Sequence, residues 1–197
     1  MSEILVFVEH DQGELAPSAA EALTAARKLG ERLSQQTAAV LIGQDAEGLG
    51  AMCAEYGVPV AYCLTSPLLS DYGPEAWGQA IVELTNHCSP SIILSVGTDR
   101  GNEVLAQVAA RLGAPFAANS INVERGDSWE ITRVQWGGSL LEDIVIDAEL
   151  LIVSYNQHSI EPVSFPGGNG IEVQTIEIEL DPSLGRTVIR DRVTLTE

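Results

Sequence analysis

Four short apolar runs, residues 4–8 (ILVFV), 38–42 (AAVLI), 60–64 (VAYCL) and 92–96 (IILSV), are each separated from the next by segments with helical spacing. Continuous runs rich in branched residues suit strands covered on both faces. Strands that alternate with helices pair in parallel, with helices on both faces of the sheet and right-handed crossovers. The pattern predicts an α/β fold with a doubly wound, mostly parallel sheet of the Rossmann-like or flavodoxin-like kind.

The intervening segments read accordingly. Pro17 opens a helix that carries Leu23, Ala26, Leu29 and Leu33, and residues 45–55 form a short helix closed by Gly57. Residues 74–87 place Trp77, Ile81 and Leu84 on one side of a further helix. Residues 102–112 form another, with Gly113 at the expected left-handed cap and Pro115 beyond it.

After Phe116 the period changes. Residues 129–135 alternate, residues 143–153 are strand-like but interrupted by Asp147 and Glu149, and two or three antiparallel strands are expected at one end of the sheet. The stretch 161–170 (EPVSFPGGNG) reads as a linker or exposed turn. Residues 171–180 (IEVQTIEIEL) alternate strictly and read as an edge strand with one acidic face. The stretch 186–197 (RTVIRDRVTLTE) has no evident core to join. The expected division is a domain over residues 1–160 and an extension or linker stub over residues 161–197.

Charge narrows the partners. A net charge of −18 repels a phosphate backbone and anionic lipid, so nucleic-acid binding and membrane insertion are not expected. Lys28 is the single lysine. The N-terminus has no basic leader pattern, and a cytoplasmic location is expected. Cys53, Cys63 and Cys88 form no paired framework and read as reduced, partly buried thiols. His10, His87 and His158 lack metal-ligand spacing.

Three segments invite a chemical reading. The corner Gly97-Thr98-Asp99-Arg100-Gly101 joins a strand to a helix at the sheet's carboxyl edge, where α/β folds hold ligands. Either Thr98 or Asp99 can cap the helix. If a nucleotide binds, Gly97, Thr98 and Gly101 give backbone approach and Arg100 takes a phosphate. The plainer reading is a capped helix start, because Asp99 disfavours a second anion. The segment from Gly43 to Leu49 has outer P-loop spacing, but Leu49 stands where the lysine belongs. Gly48 and Gly50 begin a dinucleotide pattern whose third glycine position is Cys53. Glu9-His10-Asp11 could hold a general base, but a solvated loop is the preferred reading, and no nucleophile elbow accompanies it.

The ordered set ILVFVEH, Arg100-Gly101, VAARLGAPF (108–116), ANSINVE (118–124) and Arg133-Val-Gln-Trp136-Gly137-Gly138 resembles the N-terminal domain of the electron transfer flavoprotein alpha subunit, over roughly residues 3–155. The resemblance implies the Rossmann-like, adenine nucleotide alpha-hydrolase-like form of the α/β fold, and a domain with no bond chemistry of its own that pairs with a beta-type subunit. It also implies electron transfer from dehydrogenases, such as those of β-oxidation, through the complex. In the family the FAD lies on a second domain, whose Gly-Arg-Gly and Ser-Arg segments have no counterpart here, and AMP lies on the beta subunit. No cofactor is therefore expected on this chain alone. Ser154-Tyr155-Asn156 departs from the family's basic-Pro signature. Trp136, Gly137 and Gly138 are expected to contact the partner, an aromatic beside glycines giving a flat surface. A stand-alone AMP- or ATP-binding module of the same fold is the alternative.

Overall fold

Alternate residues of strand β1 (Glu3–Phe7) serve opposite faces of one sheet, as the pleat requires. Ile4 and Val6 enter one apolar cluster, while Leu5 and Phe7 enter the other. The computed structural model describes residues 3–11, 13–165, 170–191 and 193. A small hairpin of β2 (His10–Asp11) and β3 (Glu14–Leu15) follows β1. The chain continues through α1 (Pro17–Leu33), β4 (Gln36–Ile42), α2 (Ala46–Gly50), β5 (Val60–Thr65), α3 (Pro74–Leu84), β6 (Pro90–Val96) and α4 (Asp99–Leu112). It ends with β7 (Phe116–Arg125), β8 (Trp129–Gln135), β9 (Leu140–Ile146), β10 (Leu151–Tyr155) and β11 (Glu172–Glu177).

Among the described residues the main sheet has nine strands in the order β11-β5-β4-β1-β6-β10-β7-β8-β9. Every pairing from β11 to β7 is parallel, and β7-β8 and β8-β9 are antiparallel. The chain moves outward on one side of β1 through β4 and β5, then returns to the other side with β6. Helix α1 covers one face with Ala22, Leu23, Ala26 and Leu29, and α3 and α4 cover the other with Trp77, Ile81, Val104 and Leu105. This is the α/β, mostly parallel, doubly wound architecture that the alternating runs predict.

Several details differ from the expectation. The strand-like region 143–153 is two strands, β9 and β10, separated by a turn. Strand β10 is buried along its length and lies between β6 and β7, so it belongs to the parallel core. Asp147 and Glu149 mark the break between the two strands. The helix expected over 45–55 shortens to α2 and a 3-10 turn, Ala51–Tyr56. Helix α4 starts at Asp99, three residues earlier than its apolar spacing indicates, because Thr98 caps it.

Residues 161–165 of the expected linker run along α1. The Val163 amide donates to Thr24 Oγ1 at 3.1 Å, and the Phe165 amide donates to the Glu55 carbonyl at 2.7 Å. Residues 166–169 lie outside the described residues. Strand β11 forms the sheet edge beside β5 and exposes Glu172 and Glu177. Thr187 of the final stretch donates to Glu75 on α3 at 3.1 Å, and Val188 is exposed. Residues 192 and 194–197 of that stretch lie outside the described residues.

Candidate functional site

The corner after β6 is held by inward bonds. The Gly97 amide donates to the Tyr155 carbonyl at 2.7 Å. A Cβ at Gly97 would overlap Asn119 Oδ1, and one at Gly101 would overlap the Val96 carbonyl. Gly97 is thus explained by close packing between strand ends, and Gly101 by the close approach of the first turn of α4 to the last carbonyl of β6. Thr98 is the cap: its hydroxyl accepts from the Gly101 amide at 2.9 Å and donates to Glu9 Oε1 at 2.5 Å. Asp99 is the first residue of the helix.

Glu9 therefore brings a carboxylate to the end of α4, where unpaired amides and the helix dipole favour negative charge. Glu9 is only 8% exposed and His10 is also buried, so the solvated-loop reading fails for these two residues, while Asp11 stays exposed. The Val8 amide donates to the Val40 carbonyl at 2.9 Å and extends the sheet past β1, and Glu9 and His10 follow it into buried positions. Burial raises the Glu9 pKa, and the Thr98 hydroxyl, the Arg100 charge and the Ser18 hydroxyl oppose that shift.

A cleft of about 230 Å³ opens beside this corner, lined by His10, Asp11, Asp45, Asp71, Tyr72 and Arg100 among others. His10 is 7% exposed, with Nε2 2.8 Å from the Ile42 carbonyl. A carbonyl only accepts, so this nitrogen carries the proton. The ring stacks on Trp77 at 6.0 Å, and Trp77 Nε1 donates to the Asp71 carbonyl at 3.0 Å. Burial depresses the His10 pKa, so the neutral ring is favoured. His10 Nδ1 is buried without a hydrogen-bond partner among the described residues.

Arg100 reaches the cleft rather than the capped corner. Its guanidinium lies 4.8 Å from the Tyr72 ring centre and 3.7 Å from Asp11. Tyr72 donates to Glu103 at 2.6 Å, and burial raises its pKa. The structure thus separates Arg100 from the inward-turned Gly97, Thr98 and Gly101. With three aspartates, one arginine and this volume, the cleft does not fit FAD and its dianionic pyrophosphate.

Other reactive groups are quiet. Burial pushes the thiols of Cys53 and Cys88 up to about 12 and that of Cys63 to about 11, so all three favour the unreactive thiol form. Among the described residues, no group of three His, Cys, Asp or Glu is placed to hold a metal ion. No helix among them is long and apolar enough to cross a membrane.

The expected partner-contact residues lie elsewhere, at the tip of the β8-β9 hairpin. Gly137 and Gly138 take φ values of 59° and 93°, which the tight turn requires. Trp136 is 83% exposed, and Leu141 and Val145 on the outermost strand β9 are 67% and 73% exposed. Residues 141 and 145 share one face of the strand. Arg133 pairs with Glu142 at 2.7 Å, directly opposite it in the β8-β9 ladder.

A polar network went unread in the sequence. Ser154 Oγ donates to Asn102 Oδ1 at 2.6 Å and accepts from the Asn119 amide at 2.9 Å, while Asn102 Nδ2 donates to Asn119 Oδ1 at 3.2 Å. The network ties α4, β7 and β10 together beneath the corner. Asn119 has a φ of 57°, a conformation asparagine tolerates better than most residues. An asparagine within a strand-like run was the one available signal.

Residues 4–181 match the model of the electron transfer flavoprotein domain. The chain is 34% identical over 143 residues to Protein FixB of Azorhizobium caulinodans, covering 70% of this chain and 39% of that protein. It is 32% identical over 144 residues to the electron transfer flavoprotein subunit alpha of Thermoanaerobacterium thermosaccharolyticum, covering 72% and 44% respectively. A longer match to the corresponding subunit of Clostridium acetobutylicum is 25% identical over 201 residues, covering 98% and 60%. In these three matches the chain spans between 39% and 60% of the relative's length. The chain belongs to the electron transfer flavoprotein family, as an alpha N-terminal-like domain.

Proposed function

We propose that this chain is a scaffold within an electron transfer flavoprotein complex, where it docks on a beta-type subunit and positions a flavin-bearing domain. The observation that carries the reading is an exposed apolar rim, Trp136 at the hairpin tip with Leu141 and Val145 on the edge strand β9. An edge strand with exposed apolar side chains invites association unless something covers it. Trp136 and its two glycines are the expected centre of that contact. In this reading FAD sits on the flavin-bearing domain, AMP on the beta-type partner, and this chain performs no bond chemistry. Electrons arrive from dehydrogenases through the assembled complex, in the cytoplasm.

The test is native purification of the chain from its source cells, with intact masses and the visible spectrum of what accompanies it. The reading predicts a yellow complex that contains a beta-type chain. A colourless, lone chain contradicts it. The AMP- or ATP-binding alternative has one observation in its favour, the reach of Arg100 into the carboxyl-edge cleft. Against it stand the three aspartates of that cleft. Calorimetry with AMP and ATP on the wild type and Arg100→Ala decides: heat lost on substitution supports the alternative, and no heat with the wild type ends it.

A further inference from the structure

A second cavity, of about 340 Å³, lies on the opposite face from the α3-α4 layer, between α1 and β7. Its size falls at the small end of ligand cavities, roughly 300–1,000 Å³. Val123 and Tyr155 are buried beneath it, and Ile121 and Ile160 form apolar walls. Ile121 is left out of the β7-β8 pairing by an irregularity between Ser120 and Asn122, which leaves its side chain part-exposed at the cavity.

The rim carries Lys28 and Arg32, both exposed on α1. Glu31, the acidic residue of the lining, is paired with Arg27 at 2.7 Å. Arg32 donates to the Val123 carbonyl at 3.1 Å, a neutral partner. Lys28 has no carboxylate partner among the described residues. Two cations without matching carboxylates are conspicuous on a chain of net charge −18. They come from the α1 side of the lining, while Ile121, Val123 and Ile160 supply apolar surface, so the site offers both charge and hydrocarbon.

We propose that this cavity binds a small monocarboxylate with an apolar body. The carboxylate meets Lys28 and Arg32 through charge-assisted bonds, and the body lies against Ile121, Val123 and Ile160. Neither cation lies at a helix N-terminus, and the walls have little to offer the extra charge of a phosphate. A single negative charge on an apolar frame is the complementary ligand.

Titrating the full chain with phenylacetate while recording methyl NMR spectra tests this. Benzyl alcohol serves as the uncharged control. The proposal predicts saturable shifts of the Ile121, Ile160 and Val123 methyls with phenylacetate. It predicts little response to benzyl alcohol, and about tenfold weaker phenylacetate binding in Lys28→Gln. Lys28 is exposed, and an unchanged spectrum of the free variant confirms its fold. Three outcomes overturn the proposal: no saturable shift, equal response to the alcohol, or unchanged affinity in Lys28→Gln. Protection of these methyls by a beta-type subunit, without response to phenylacetate, assigns the groove to a protein contact and also overturns it.

Discussion

The Thr98 hydroxyl donates to the Glu9 carboxylate at 2.5 Å while it accepts from the Gly101 amide at 2.9 Å. One side chain thus caps α4 and satisfies a buried acid at the carboxyl end of β1. Thr98→Val keeps the shape and removes both bonds. A lost cap costs about 1 kcal/mol, and an unsatisfied buried polar group adds about 1–3 kcal/mol. Urea unfolding of Thr98→Val is expected to show a loss of about 2–4 kcal/mol, with Thr98→Ser much closer to wild type.

Gly101 and Gly48 make opposite predictions. Gly101→Ala drives a methyl into the Val96 carbonyl, an overpacking that costs about 1–3 kcal/mol. Gly48 has open space around its missing Cβ and lies in α2. Gly48→Ala is expected to be neutral or to stabilise by about 0.5–1 kcal/mol, through helix propensity and a less flexible unfolded chain. Thermal melts of the two variants check the contrast.

His10 gives a pH signature. Its folded pKa is depressed from 6.5 by burial, so the unfolded chain binds the proton first as pH falls. Stability from this residue is present above about pH 6.5 and declines as pH falls from there toward the folded pKa. Glu9, raised from 4.5 by burial, acts with the opposite sign as pH falls toward 4.5. His10→Gln retains a donor toward the Ile42 carbonyl and removes the titration. The wild-type minus variant stability, followed by denaturant unfolding, is expected to shrink as pH drops below about 6.5. A pH-independent difference removes this role.

The apolar runs made the parallel sheet legible because strands buried on both faces leave a continuous signal. Strand β10 was harder to place: LIVSY is such a run, but the chain reaches it only after the antiparallel arm, so adjacency in sequence misled. Thr98 was legible as a potential cap beside Asp99. The role of Glu9 was not, since nothing local distinguishes a carboxylate folded into a helix end from one in solvent. Asn102, Asn119 and Ser154 meet only in three dimensions. The exposure of Trp136 follows from its place at the tip of the β8-β9 hairpin, a matter of where the strands end rather than of composition.

In the proposed scaffold role the apolar arm serves association rather than folding. Trp136, Leu141 and Val145 contribute little to the core, so replacing each with Ser is expected to leave the melting temperature within a few degrees of wild type. The most direct measurement is the native mass of the chain co-expressed with a beta-type subunit, for the wild type and for the Trp136→Ser, Leu141→Ser, Val145→Ser variant. The scaffold reading predicts a two-chain mass for wild type and separate chains for the folded variant. A wild type that stays monomeric beside the partner, or a variant that pairs equally well, contradicts it.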